Sequence, residues 1–320
     1  MAAPLDYPRW RDQFVLSREA RALERHSELV QNIRRGVLVP VTRGVYRHSS
    51  AVTRDDHFAA EDSALARVRA AHLVAAEPPV FASLSAAAIW GLPVIGPWPE
   101  RVQTASAQAN GGRSNVHVTR SFVGHPVRWV TVDGLRVTTL ARTVIDIGRT
   151  SSLETAVAVA DAALRGTVGG VHGTRRRPVS ISTLWAELAR LGSAPGVAKC
   201  RRVLSFADAN AASPGESLSR VTMLTLGLPR PILQHDFFDK HGRMTVDFWW
   251  PEFRLIGEFD GAAKYLREEY SGEKSIAERL LDEKAWEDRL RALDTTVVRW
   301  GWAEASSRSK LWERLGSRLG

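Results

Sequence analysis

The chain contains a single cysteine, Cys200, among 320 residues. One thiol excludes an intrachain disulfide and any cysteine-rich zinc site. No uninterrupted apolar run approaches the roughly 20 residues that a helix needs to cross a bilayer. The opening segment, MAAPLDYPRWRDQF, lacks the apolar core of a secretory signal. These absences predict a soluble cytoplasmic protein with no membrane partner. The glycines of residues 166–181, GTVGGVHGTRRRPVSI, are not followed by Gly-Lys-Ser/Thr, so the stretch reads as a basic linker and not as a phosphate loop. No serine sits in a nucleophile elbow, and the nine histidines show no zinc-ligand spacing. His235, Asp236, Asp239 and His241 cluster around a turn expected at residues 239–242, which reads as a solvated hairpin.

What is present is an ordinary globular composition, 44% hydrophobic and 25% charged, in a chain long enough for two or three domains. The net charge of +9 is unevenly placed. Residues 214–320 carry 17 Lys/Arg against 18 Asp/Glu, while residues 1–213 carry 27 against 17. The whole basic excess lies in the first two thirds, which favours nucleic acid or another polyanion as a partner there.

Residues 12–48 read as helix, turn, helix and hairpin. Ser17 is placed as the N-cap of the first helix, and Gly36 as the left-handed residue that ends the second. VLVPVTRGVYRHS then alternates as two short strands around residues 42–44. These are the parts of a winged helix, with Arg34, Arg35, Arg43 and Arg47 at the helix end and on the wing, where arginines reach phosphates. The alternative is a small helical cap with a solvated arginine face. Residues 60–165 mix helices with alternating strands, including an Asp133-Gly134 hairpin turn and a helix opened by a capping box of Ser151 and Glu154. Arg142 and Asp146 have the spacing of a helical pair. Two short helices follow the linker.

The C-terminal third carries the chemistry. Ser213, Pro214 and Glu216 open a helix as N-cap, first residue and third residue of a capping box. Two strands follow around the turn at 239–242, then a third, FRLIGEF, joined through Pro251-Glu252. MTVDFWWPEFRLIGEFDG sets Asp247, Glu258 and Asp260 among aromatic and aliphatic residues, where an ionised carboxylate is costly unless something pairs with it. A two-residue turn between Trp250 and Phe253 sets Asp247 opposite Ile256 and diagonal to Glu258, with all three carboxylates on one face. A four-residue loop keeps that parity and a three-residue loop destroys it. Carboxylates gathered on one face repel unless a cation joins them, and hard oxygen ligands suit magnesium or manganese. A helix over EKSIAERLLDEKAWEDRLRALD and a strand, TTVVRWGW, complete the unit.

On SPGES (213–217), VDFWWPEFRLIGEFDG (246–261), DEKAWEDRLRALD (282–294) and VVRWGW (297–302), the C-terminal region resembles the very-short-patch-repair-like branch of the PD-(D/E)xK nuclease superfamily. On RRGVLVPVTRGVYR (34–47), SLSAAAIWGLP (83–93) and VTTLARTVIDIG (137–148), residues 12–165 resemble AbiEi-type antitoxins of toxin–antitoxin pairs. The first resemblance implies that Asp247 and Glu258 bind the metal and that Glu216 assists. The family pattern places a lysine two residues after the glutamate, and this chain has Asp260 there, leaving Lys264 or Lys284 to supply the basic group.

The expected class is α/β with α+β character. A winged helix covers 1–50, a mixed α/β domain 51–165, a linker with connecting helices 166–212, and a restriction-endonuclease-like domain 213–320. The expected function is that of a DNA-binding protein with an endonuclease-like, Mg- or Mn-dependent domain. The alternative is an antitoxin-like repressor, partnered by a cognate toxin, whose nuclease fold is inactive.

Overall fold

The computed structural model describes residues 9–53, 55, 58–106, 118–122, 128–166, 168–169, 174–175, 177–261, 286, 289–290 and 292–320. After a 3-10 turn at Arg9–Gln13, strand β1 (Phe14–Leu16) leads into helices α1 (Ser17–Ala22) and α2 (His26–Arg34). The hairpin of β2 (Leu38–Thr42) and β3 (Val45–His48) then pairs back, so that the three strands lie in the order β1-β3-β2, antiparallel throughout. The two helices and the hairpin follow in the expected order, and β1, which precedes them and pairs with β3, was not expected. Ser17, expected as the N-cap, is instead the first helical residue, and Leu16 precedes it without a side-chain cap. Gly36 closes α2 with φ +70°. This unit does not fold on a core of its own alone. Trp10, Phe14, Leu16 and Val45 share one cluster with Leu65, Val68 and Phe81 of the next unit.

That next unit contains α3 (Ala59–Val74), β4 (Val80–Phe81), α4 (Ser83–Trp90), β5 (Val102–Ser106), β6 (Val118–Phe122), β7 (Trp129–Val132) and β8 (Leu135–Thr138). Its five strands run β6-β5-β4-β8-β7 with mixed directions. Helices α5 (Leu140–Thr150) and α6 (Leu153–Arg165) follow. The N-cap of α6 is Ser152, which accepts from the Thr155 N–H, so the box expected from Ser151 and Glu154 is displaced by one residue. Arg142 pairs with Asp146 at 3.0 Å as its spacing implies. A short strand pair, β9 (Val168–Gly169) and β10 (Thr174–Arg175), precedes α7 (Ile181–Ala189) and α8 (Val197–Phe206). The region expected as a linker is therefore partly core. Leu184, Leu188, Val197, Cys200, Val203 and Leu204 are buried in the same cluster as α5 and α6, because they recur at three- and four-residue helical spacing.

The last unit opens with α9 (Pro214–Leu226), capped by Ser213 accepting from the Glu216 N–H and ended by Gly227 at φ +73°. Strands β11 (Ile232–Asp239), β12 (Gly242–Trp250), β13 (Leu255–Phe259) and β14 (Thr296–Trp300) form one sheet in chain order. The first three are antiparallel and β14 lies parallel to β13, followed by α10 (Trp302–Ala305) and α11 (Arg308–Leu319). One face packs Phe248, Trp250, Leu255, Phe259, Val298 and Trp300 with α9 and α11, and Trp249, Ile256 and Leu290 belong to a cluster on the other. Gly215 brings α9 onto the sheet, since a Cβ there would lie 1.9 Å from the Phe259 ring. A buried ion pair, Asp161–Arg220 at 2.6 Å, fastens α6 to α9. The chain is thus an α+β protein built of helices and mixed sheets. No helix among the described residues is long and apolar enough to cross a membrane.

Candidate metal and nucleic-acid sites

The local chain path around Asp247 is set by an irregularity in β11. Gln234 has φ +48°, a left-handed conformation that side chains rarely adopt and that costs on the order of 1–3 kcal/mol. Regular strands send residues two apart to the same face. Here Phe248, paired with Leu233, belongs to one core cluster, whereas Val246, paired with His235, belongs to the other. His235 stacks on Trp249 on that second side. The strand pair therefore turns over at Gln234 and Asp247, and places both between the two apolar faces.

The register brings the carboxylates together more closely than expected. Trp250 pairs with Leu255, Trp249 with Ile256 and Phe248 with Gly257, where the regular ladder ends, and Asp247 and Glu258 are the next residues on the two strands. The expected opposition to Ile256 fails because the connection is a four-residue loop, in which Pro251–Phe253 form a 3-10 turn and Arg254 follows at φ +45°. Two added residues shift the pairing by two. Beyond Phe248 and Gly257, carboxylates take over part of the ladder. The Asp247 N–H donates to Glu258 Oε1 at 3.3 Å, and the Phe259 N–H donates to Asp247 Oδ2 at 2.9 Å.

Glu216 joins from α9. Gln234 Nε2 donates to Glu216 Oε2 and to Asp247 Oδ1, each at 3.1 Å, and the Ala212 N–H donates to Glu216 Oε2 at 2.8 Å. Glu216 is only 4% exposed. Burial first, and the Asp247 charge second, push its carboxyl up to about 7. Asp260 follows Glu258 by two residues and is half-buried, with its backbone N–H donating to the Trp300 carbonyl at 2.8 Å. The structure thus connects Glu216, Asp247 and Glu258, and places Asp260 just beyond the end of β13. Lys264 and Lys284 lie outside the described residues.

Two participants were missed in the sequence. Gln234 bridges two carboxylates, and a glutamine in an alternating strand gives no sign of that. Arg299 lies beside Glu258 in the β13–β14 register. Its signal was legible, since an arginine inside the apolar strand TTVVRW raises the same question as the carboxylates.

Among the described residues, no three His, Cys, Asp or Glu side chains are grouped so as to hold a metal ion. Magnesium, however, is commonly held by one or two carboxylates, with waters and substrate phosphates completing its shell. Asp247 and Glu258, joined where β12 and β13 part, are the two carboxylates that could meet that smaller demand.

In the N-terminal unit, Arg34, Arg35 and Arg43 are exposed at the end of α2 and the tip of the β2–β3 hairpin. Arg47 is not a surface group. It is 2% exposed, pairs with Asp62 at 2.7 Å and donates to the Ala51 carbonyl. Its strand alternates with Val45 inward, so Arg47 points inward too. The expectation that it contacts phosphate is corrected by this placement.

No family model matches the chain. It is similar to two uncharacterized proteins of Mycobacterium tuberculosis, MT2308 (strain CDC 1551 / Oshkosh) and Rv2248 (strain ATCC 25618 / H37Rv), with 33% identity over 168 residues in each case. Those residues are 52% of this chain and 55% of each relative, so the match spans about half the length of the curated relatives.

Proposed function

We propose that the protein binds DNA through its basic N-terminal region and hydrolyses a phosphodiester at a PD-(D/E)xK-like site in its C-terminal sheet, in the cytoplasm. The observation that carries this reading is the junction of Asp247 and Glu258 at the end of the β12–β13 ladder, where the Asp247 N–H donates to Glu258 Oε1, with Glu216 tied to Asp247 through Gln234. Asp247 and Glu258 would hold Mg²⁺ or Mn²⁺, and the metal when bound would lower the pKa of a water. Overall, the water oxygen bonds to phosphorus, one P–O ester bond breaks, and the departing oxygen takes a proton. Glu216 and Gln234 orient Asp247. Asp260, in the lysine's position, cannot supply a positive charge. Arg34, Arg35 and Arg43 would grip the duplex backbone that the near-neutral C-terminal unit attracts weakly.

Calorimetric titration of the full chain with Mn²⁺ tests the site. One ion is expected to bind, with loss of binding in Asp247→Asn, and Mn²⁺-dependent nicking should disappear in Glu258→Ala. A protein that takes up no divalent ion refutes it.

A second reading is favoured by one specific observation: both carboxylates already accept backbone N–H groups across the splayed strands. In that reading they serve as fixtures of the sheet, and the chain is an AbiEi-like repressor that partners a cognate toxin. Operator binding lost in an Arg34→Ala/Arg35→Ala variant, with no cleavage in any metal, identifies it.

A further inference from the structure

We infer that Arg299 is the cationic group of this site and that it contacts a phosphate oxygen of the DNA strand; the inference rests on the hydrolase reading above. β13 and β14 are parallel, and Glu258 is paired in register with Arg299. Opposed residues of neighbouring strands project from the same face, with the strands roughly 4.8 Å apart. Ile256 and Val297, one pairing earlier on that face, lie in one apolar cluster with Trp249 and Leu290. The face therefore turns from apolar to ionic at the Glu258–Arg299 pair of β13 and β14, beside the Asp247 N–H that donates to Glu258. The Arg299 guanidinium sits 5.8 Å from the Trp286 ring centroid, so an aromatic side chain limits where it swings.

Arg299 is the cation that the β13–β14 register sets beside Glu258, and it stands on a different strand from the position where the family pattern places lysine.

The residue type limits its role. A guanidinium stays protonated, so it cannot take a proton from water. Its planar fork matches two oxygens of a phosphate, which makes it a substrate clamp and a stabiliser of charge on the phosphoryl oxygens. Water activation is then left to the metal.

The test measures binding of the full chain to a 12-base-pair duplex in Ca²⁺ across a salt series, beside Mn²⁺ calorimetry and Mn²⁺-dependent nicking. Loss of one phosphate contact lowers the slope of log K against log salt by about 0.9. Arg299→Ala is expected to show that loss, to keep one Mn²⁺ site, and to nick about 100-fold more slowly. Arg299→Lys keeps the charge and should keep the slope, while nicking stays reduced because the fork is gone. An unchanged slope in Arg299→Ala overturns the inference. So does an equal loss of slope in Arg299→Lys, which marks a structural role. A wild-type protein without Mn²⁺ uptake or nicking refutes the hydrolase reading instead, and the slope comparison still decides whether Arg299 touches phosphate.

Discussion

Replacing Glu216 with glutamine should make the C-terminal unit more stable at alkaline pH. Glu216 is buried under α9, and its carboxyl titrates at about 7 instead of the ordinary 4.5 because burial and the neighbouring Asp247 charge both disfavour ionisation. The sign follows from linkage. Between those two values the folded protein holds a proton that the unfolded chain has released, so stability falls as pH rises. The contribution of the protonated group is complete below about 4.5 and is lost as pH rises through about 7. A rise of that size corresponds to on the order of 3 kcal/mol. Glutamine is close to isosteric, does not titrate, and retains an oxygen for the Ala212 N–H and the Gln234 amide. The assay is urea unfolding in chelator, followed by tryptophan fluorescence, from pH 5 to about 8.5. The parent is expected to lose stability steadily across that window. Glu216→Gln should be flatter and should exceed the parent at the alkaline end. A parent profile flat across the window, or an equal slope in the variant, would refute the assignment of a strained, proton-retaining carboxyl beside Asp247.

Arg47→Ala breaks a buried ion pair with Asp62 and should cost about 3–5 kcal/mol in chemical denaturation, with no effect on the salt dependence of DNA binding in protein that remains folded. Arg34→Ala/Arg35→Ala should do the reverse, leaving stability within about 0.5 kcal/mol and lowering the salt slope by about 2. Gly215→Ala would drive a methyl into the Phe259 ring and should lower stability by about 1–3 kcal/mol in urea titration, with weaker Mn²⁺ uptake, because Phe259 carries the N–H that holds Asp247. Asp161→Ala leaves the Arg220 guanidinium buried without its carboxylate, and should destabilise the α6–α9 joint by about 3–5 kcal/mol, read as earlier exposure of α9 in hydrogen exchange.

How much of this was legible depended on whether the deciding contact is local. The C-terminal strand order, the Ser213 cap and the Gly36 and Gly227 stops come from periodicity and cap chemistry, which are properties of adjacent residues. The loop between β12 and β13 was misjudged by two residues because Pro251-Glu252 looks like a tight turn, while the register is decided by which of Phe253 and Leu255 is buried. Leu255 is 1% exposed and Phe253 40%, so burial assigned the strand start to leucine and moved Asp247 onto Glu258. Arg47 was readable from alternation with Val45, but it needs Asp62, in a helix of the next unit, to be tolerable inside, and no local pattern names that partner. The turnover at Gln234 had no local signal at all. A glutamine does not favour φ +48°; it is held there because Glu216 from one helix and Asp247 from the next strand both accept its amide. The same logic explains why the site outran its sequence reading. Each carboxylate is visible singly as an acidic residue in an apolar setting, whereas what ties Glu216 to Asp247, and sets Arg299 beside Glu258, is a strained residue and a parallel pairing that exist only once four strands and a helix have assembled.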